Sequence, residues 1–98
     1  MIYDLDFKPK ALKEWKKLDS TIKEQFKKKL EKIIINPKIA KNRLSGYENI
    51  YKIKLLKAGY RLVYEVKEKE IVVLVLTIGK RENDKVYDKL RSRVSSKS

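Results

Sequence analysis

The stretch Tyr51–Val66 alternates between apolar and polar positions on both sides of a turn that carries Gly59. A period of two is typical of paired strands, so this stretch is predicted to form a β-hairpin. Pairing Leu55 with Tyr60 leaves residues 56–59 as the loop. One face then collects Tyr51, Ile53, Leu55, Tyr60, Leu62 and Tyr64, and the other collects Lys52, Lys54 and Arg61. A slip of one residue would mix the two sets, so burial of the apolar face should fix this register.

The segments before the hairpin predict one strand and two helices. Residues 2–7 alternate as a short strand does, and Pro9 stands where a first helical residue belongs. Apolar residues at three- and four-residue steps then predict a helix from about Pro9 to Leu18, with Trp15 as a core anchor. A second helix is predicted from about Thr21 to Ile35. Asp19, Ser20 and Thr21 are its candidate N-caps, and Glu24 stands three residues past Thr21 as in a capping box.

The segments after the hairpin predict a central strand and a weakly held helix. Residues 71–78 are apolar at odd and even positions alike, which is typical of a strand buried on both faces. The two helices would cover one face of the sheet, and only the C-terminal segment is left to cover part of the other. Val86, Leu90 and Val94 step by four and predict a short helix with a thin apolar stripe. Residues 95–98 read as a frayed tail.

Together these elements predict an α/β (α+β) fold in one compact domain that spans residues 1–98. Its sheet would have about four strands and be mostly antiparallel. The two N-terminal helices would pack on one face of the sheet, and a short C-terminal helix would complete the fold.

Charge and composition narrow the function classes. Lys plus Arg number 26 against 13 Asp plus Glu, and the net charge of +13 predicts attraction to polyanions. Nucleic acid is the first partner class, before an anionic membrane surface or an acidic protein, although lysine-rich helices can simply be solvated. Cysteine and histidine are absent, so disulfides, thiolate chemistry and the usual zinc ligands are excluded, and neither a metal nor a cofactor is expected. Without a signal peptide or a transmembrane-length run, we expect a cytoplasmic protein with no membrane partner.

The polar face of the hairpin predicts a site for an RNA phosphate. In the stated register Lys54 lies opposite Arg61, and like charges in that position repel unless an anion compensates them. Arg81 follows the central strand in sequence, and Tyr87, one turn into the last predicted helix, would then be expected near the same edge. RNA cleaves itself when its 2′-OH attacks the adjacent phosphorus, which requires a base, positive charge and an acid. Without histidine the base would be a lysine or a tyrosine, and neighbouring cations lower a lysine pKa.

Spacing alone leaves two alternatives open. Either lysine could be the base, and a basic sheet could equally bind RNA without cutting it. Further phosphate contacts are expected from Arg43, Lys57 and Lys80.

Four segments of the chain resemble the RelE family of toxins within the RelE/ParE superfamily: Ala11–Leu18, Tyr51–Leu55, Gly59–Tyr64 and Val75–Glu82. The resemblance implies a toxin of a type II toxin–antitoxin pair that enters the ribosomal A site and cleaves mRNA there. It also implies a RelB-like antitoxin as partner, in a complex that could oligomerise and bind operator DNA.

The resemblance further assigns roles to residues of the site. Lys52 and Lys54 would serve as base and charge support, and Arg61 would hold the phosphate. Arg81 would assist protonation of the leaving group, and Tyr87 would orient the substrate. Family members often carry basic residues where this chain has Ser45 and Leu56, and Arg43 or Lys57 could replace those contacts. Two alternatives stand beside the leading function. One is a ParE-type toxin of the same fold that binds a topoisomerase, and the other is a non-catalytic RNA-binding protein.

Overall fold

The computed structural model describes residues 2–80, which form four strands, two α-helices and one short 3-10 helix. In chain order these are β1 (Asp4–Phe7), α1 (Pro9–Lys17), α2 (Ser20–Ile33), the 3-10 helix (Ala40–Asn42), β2 (Ile50–Leu55), β3 (Tyr60–Lys67) and β4 (Val72–Lys80). The predicted C-terminal helix and tail, and with them Arg81 and Tyr87, lie outside the described residues.

The four strands form one sheet in the order β1-β4-β3-β2. β1 runs parallel to β4, whereas the β4–β3 and β3–β2 pairs are antiparallel. The mostly antiparallel sheet and the central position of β4 are therefore confirmed. The hairpin register is also confirmed, because Leu55 pairs with Tyr60 and Lys54 with Arg61.

The main core lies between the two helices and one face of the sheet. Helix residues such as Ala11, Phe26 and Leu30 are buried there against Leu62 and Val75 of the sheet. Trp15 joins this core as predicted. Its ring lies 5.4 Å from that of Phe7 and 6.5 Å from that of Phe26, between centroids.

The helix starts follow local chemistry, with one correction. Pro9 occupies the first turn of α1, where its missing N–H is not needed. Asp19 caps α2, because its side-chain oxygen accepts a hydrogen bond of 2.9 Å from the Ile22 amide. The predicted capping box on Thr21 and Glu24 was wrong, since α2 already begins at Ser20 and Thr21 lies inside its first turn.

The opposite face of the sheet carries a second, smaller core of Leu44, Ile50, Val63 and Leu76, with Tyr47 packed against it. The expectation that only the C-terminal segment could cover this face was wrong, because the loop before β2 supplies Leu44 and Tyr47. A hydrogen bond of 2.8 Å from the Leu44 amide to the Ile50 carbonyl oxygen ties this loop to β2. Between residues 2 and 80, neither α-helix is long and apolar enough to cross a membrane.

Candidate active site

The hairpin brings Lys52, Lys54 and Arg61 together on the face of the sheet that the helices do not cover. We call these three residues the cationic face. Lys54 of β2 lies directly opposite Arg61 of β3, and Lys52 is two residues along the same strand. Lys52 and Arg61 are half-buried, and Lys54 is exposed. Each cation is thus held by the strand backbone and not by a flexible loop.

The other face of the hairpin explains why the cations cannot slip inward. Tyr51 and Tyr64 are cross-strand partners whose rings stack with centroids 5.6 Å apart. The Tyr64 hydroxyl donates a buried hydrogen bond of 2.8 Å to the Pro37 carbonyl oxygen. Burial raises the pKa of this phenol, so it remains a donor. A shift of one residue would break the ring pair and this hydrogen bond, and the alternate residues are therefore fixed on the cationic face.

A β-bulge in β4 shapes the surface beside Arg61. Tyr64 pairs with Val75 but Val63 pairs with Thr77, so β4 has one extra residue at this point. The extra residue reverses the alternation of β4 beyond the bulge. Arg61 consequently pairs with Gly79, whereas an uninterrupted ladder would have placed Ile78 opposite it. The row across the three strands reads Lys54, Arg61, Gly79, and Gly79 itself adds no side chain to it.

Helix α1 holds the end of β4 where β1 stops. The last paired residue of β1 is Phe7, opposite Val75, and the chain then turns into α1. Beyond that point the Ile78 amide donates a hydrogen bond of 3.0 Å to Oε1 of Glu14. The carboxylate of Glu14 thus supplies an acceptor that a longer β1 would have provided. This contact fixes the segment that presents Gly79 and leads to Arg81.

Lys52 has the electrostatic environment that a catalytic lysine requires. Burial, followed by the charges of Lys54 and Arg61, lowers the pKa of Lys52 below its usual value. The sequence predicted this direction from the neighbouring cations, but burial is the larger cause. A lower pKa increases the fraction of neutral amine at neutral pH, and only the neutral amine can accept a proton.

The remaining predicted contacts border the hairpin, and two of them pair with residues of its other face: Arg43 with Tyr51 and Lys80 with Tyr60. Arg43 is exposed and forms an isolated bridge with Tyr51, next to Lys52 in sequence. Lys57 is exposed in the hairpin turn, and Lys80 is exposed at the end of β4. Ser45 and Leu56 are also exposed. No cluster of three acidic side chains that could hold a metal ion occurs within residues 2–80.

Two features of this region were not predicted from the sequence. One is Gly79, because the uniformly apolar β4 gives no signal for a bulge. The other is the position of the α2 lysines, for which a solvated face was favoured over a binding site, yet Lys28, Lys29 and Lys32 line a groove beside Lys52 and Lys54. Lys32 follows Lys29 by three residues and Lys28 by four, spacings that make side chains neighbours on a helix, and this was the available signal.

Similarity to known proteins agrees with this geometry. The family model of the ParE toxin of the type II toxin–antitoxin system parDE matches residues 5–85. The chain is 50% identical over 94 residues to the mRNA interferase toxin RelE of Escherichia coli, covering 96% of this chain and 99% of that protein. It is 45% identical over 94 residues to a putative RelE-like toxin protein of Escherichia coli, with the same coverage of both chains.

Solved structures give the same grouping. A mutant of E. coli toxin RelE in the free state superposes with a TM-score of 0.89 at 49% identity, covering 96% of this chain and 99% of that one. The intact E. coli RelBE toxin–antitoxin complex matches with a TM-score of 0.78 at 52% identity, covering 80% of this chain and 95% of that one. The chain therefore belongs to the RelE family of toxins of type II toxin–antitoxin systems.

Proposed function

We propose that this toxin is an mRNA interferase that cleaves mRNA in the ribosomal A site. The observation that carries the proposal is a half-buried lysine with a lowered pKa, Lys52, beside Lys54 and Arg61 on the face of the sheet opposite α1 and α2. The 50% identity to the mRNA interferase toxin RelE supports the same activity. Action on ribosomes makes the cytoplasm its place of action.

The reaction would proceed by attack of the RNA on itself. Neutral Lys52 removes the proton of a 2′-OH, and that oxygen forms a bond to the adjacent phosphorus. Lys54 and Arg61 stabilise the negative charge that develops on the phosphorane oxygens, and Arg61 can grip two of them. The bond from phosphorus to the 5′-oxygen then breaks. This oxygen takes up a proton, and the products are a cyclic 2′,3′-phosphate and a 5′-hydroxyl.

Arg81 and Tyr87 complete the proposed site on the family pattern. Arg81 assists protonation of the departing 5′-oxygen, and Tyr87 orients the substrate. Arg43, Lys57 and Lys80 would contact neighbouring phosphates, since all three are exposed cations that border the hairpin.

A RelB-like antitoxin is the proposed protein partner. Homologous toxins have been solved with antitoxin, among them the E. coli RelBE complex and an E. coli RelE mutant bound to an antitoxin RelBc peptide. We expect the antitoxin to suppress cleavage, and the complex to oligomerise and bind operator DNA. Co-expression with the neighbouring open reading frame tests the partnership, and failure to co-purify any protein would contradict it.

The test of the activity is primer extension on mRNA bound to ribosomes. Lys52→Met, Arg61→Gln and Arg81→Ala should each reduce cleavage by about 10²-fold or more, as loss of a general base or a charge-stabilising donor does. Lys10→Gln/Lys13→Gln, two exposed cations of α1, should cut as the wild type does. Unchanged cleavage by the three site variants would show that the assigned site is wrong. Toxicity with intact mRNA and stalled replication would instead support the ParE-type alternative.

A further inference from the structure

A groove of about 670 Å³ opens between α2 and the outer edge of β2. Its walls carry six cations: Lys28, Lys29, Lys32, Lys41, Lys52 and Lys54. Its floor includes Ile33, Ile39 and Ile53, which belong to or pack against the main core. No carboxylate lines it within the part of the chain that the structure describes. We call this feature the lysine groove.

The concentration of charge in the lysine groove costs stability. Lys28 and Lys32 are four residues apart on α2, and like charges at this spacing destabilise a helix. All three groove lysines of α2 are exposed, so they could have been any polar residue without loss of core packing. A cluster of cations without carboxylates indicates a ligand that brings its own negative charge.

The lysine groove is continuous with the cationic face. Lys52 and Lys54 belong to both, because β2 is an edge strand and its side chains border the sheet surface and the groove alike. The loop before β2 reaches only the first part of that edge, through the bridge between Arg43 and Tyr51. Among residues 2–80, no strand pairs with the outer edge of β2 from Lys52 to Leu55, so the groove is open there.

We propose that the lysine groove binds the phosphodiester backbone of the RNA strand on one side of the cleaved bond. The proposal rests on the proposed function, which places a phosphate of that strand at Lys52, Lys54 and Arg61. A strand leaving this point along β2 passes between the lysines of α2 and Lys41. Every nucleotide brings one negative charge whatever its base, whereas a peptide would need a carboxylate at each matching position. Positively charged grooves that follow the backbone are the usual means of binding single strands without sequence preference.

The test measures RNA binding without cleavage. The probe is a fluorescent twelve-nucleotide oligomer of 2′-fluorouridine, which has no 2′-OH and cannot be cut. The groove variant is Lys28→Gln/Lys29→Gln/Lys32→Gln. The charge-matched control is Lys10→Gln/Lys13→Gln/Lys16→Gln on α1, whose three lysines are also exposed. Glutamine has nearly the helix propensity of lysine, so both variants should fold, and circular dichroism checks this.

The groove variant should lose much more affinity than the control. Each phosphate contact contributes about 0.7 to the slope of log K against log salt for a single strand, so loss of three contacts predicts a slope smaller by about 2 and binding weaker by about 10²-fold at 0.1 M salt. The control should lose only a few-fold, through the reduced net charge.

Three results would overturn the proposal. Equal losses in the groove variant and the control would mean that only net charge matters. Displacement of RNA by an equal concentration of oligoglutamate would mean that the groove takes an acidic protein segment. Ribosome binding can be measured with two mRNAs, one that ends in the P site and one that extends beyond it. If the groove variant binds both ribosome complexes more weakly than the wild type, and to the same extent, the groove contacts ribosomal RNA and not the mRNA. If the wild type binds RNA through the groove but cuts no mRNA on ribosomes, the proposed function fails and the groove site remains.

Discussion

The two faces of the β2–β3 hairpin are built from alternate residues of the same strands, yet they behave in opposite ways. On the helix side Tyr51, Leu62 and Tyr64 are buried, and the Tyr64 hydroxyl is hydrogen-bonded. On the other side Lys54 faces Arg61, and Lys52 is half-buried among like charges. Burial of the first face fixes the register, and that register forces the cations together on the second. The pleat of this hairpin thus places the residues that stabilise the fold on one face and the residues of the proposed chemistry on the other.

The largest expected effect is a difference in stability between two variants, one with a buried residue of the helix side replaced and one with a cation of the cationic face replaced. Leu62 is fully buried, so Leu62→Ala should lower the free energy of unfolding by about 2–5 kcal/mol. Lys52→Met should leave it unchanged or raise it. The folded-state pKa of Lys52 is lowered, so its charged form costs stability at neutral pH, and this cost disappears only as the pH rises towards the unfolded-state pKa.

Urea unfolding of both variants at neutral pH measures this contrast. The wild type at a pH above 10 provides the control for Lys52, because the cost of its charge is then largely gone. A Lys52→Met protein that unfolds as easily as Leu62→Ala would mean that the cationic face also holds the fold together.

A smaller effect, on cleavage, is expected where the bulge places Gly79 opposite Arg61. Gly79→Val would put a branched side chain on the row that contains Arg61 and Lys54. Valine suits a strand better than glycine, so stability should not fall. Displacement of the phosphate by about 1 Å should nevertheless reduce cleavage by about 10²-fold.

The ribosome-bound mRNA assay measures this loss, with Lys67→Val at the far end of β3 as the control. If Gly79→Val cuts normally, the space opposite Arg61 is not where the phosphate lies.

The difference between the faces also explains what the sequence could predict. Alternation around Gly59 was enough to give the pairing of Leu55 with Tyr60, because a wrong register would bury lysines. The sequence of β4 has no such alternation, since its residues are apolar at odd and even positions alike. Its bulge depends on how β3 and α1 pack against it, including the hydrogen bond from the Ile78 amide to Glu14. Gly79 could not be assigned to the site for this reason.

The charged residues also differ in whether the sequence could predict their place in the site. Lys52 and Arg61 were predicted because the hairpin places them locally. The groove lysines of α2 were not, because their proximity to β2 is a tertiary contact between segments about 20 residues apart. Asp19 was one of three adjacent candidates for the cap of α2, and the choice among them depends on where the chain turns after α1.

A still smaller effect is expected from the hydroxyl of Tyr64. Tyr64→Phe keeps the ring stacked on Tyr51 but leaves the Pro37 carbonyl without its buried donor, which should cost about 1–3 kcal/mol. Thermal unfolding measures the loss, and Tyr60→Phe, at a half-buried position, is the matched control. Cleavage by Tyr64→Phe below its melting range should equal that of the wild type. A fall in the cleavage rate with unchanged stability would show that the helix face takes part in the chemistry.

The smallest effect tests whether charges on the cationic face tune one another. Lys54 is one cause of the lowered pKa of Lys52, so Lys54→Gln should raise that pKa. In the proposed mechanism cleavage requires neutral Lys52, so the rate should increase with pH up to this pKa. The inflection of the rate profile should move to higher pH in the variant, and the deficit should narrow above it. Lys13→Gln on α1 should leave the inflection in place. A deficit that is the same at every pH would mean that Lys54 acts on the substrate phosphate alone, and that burial and Arg61 suffice to prepare Lys52.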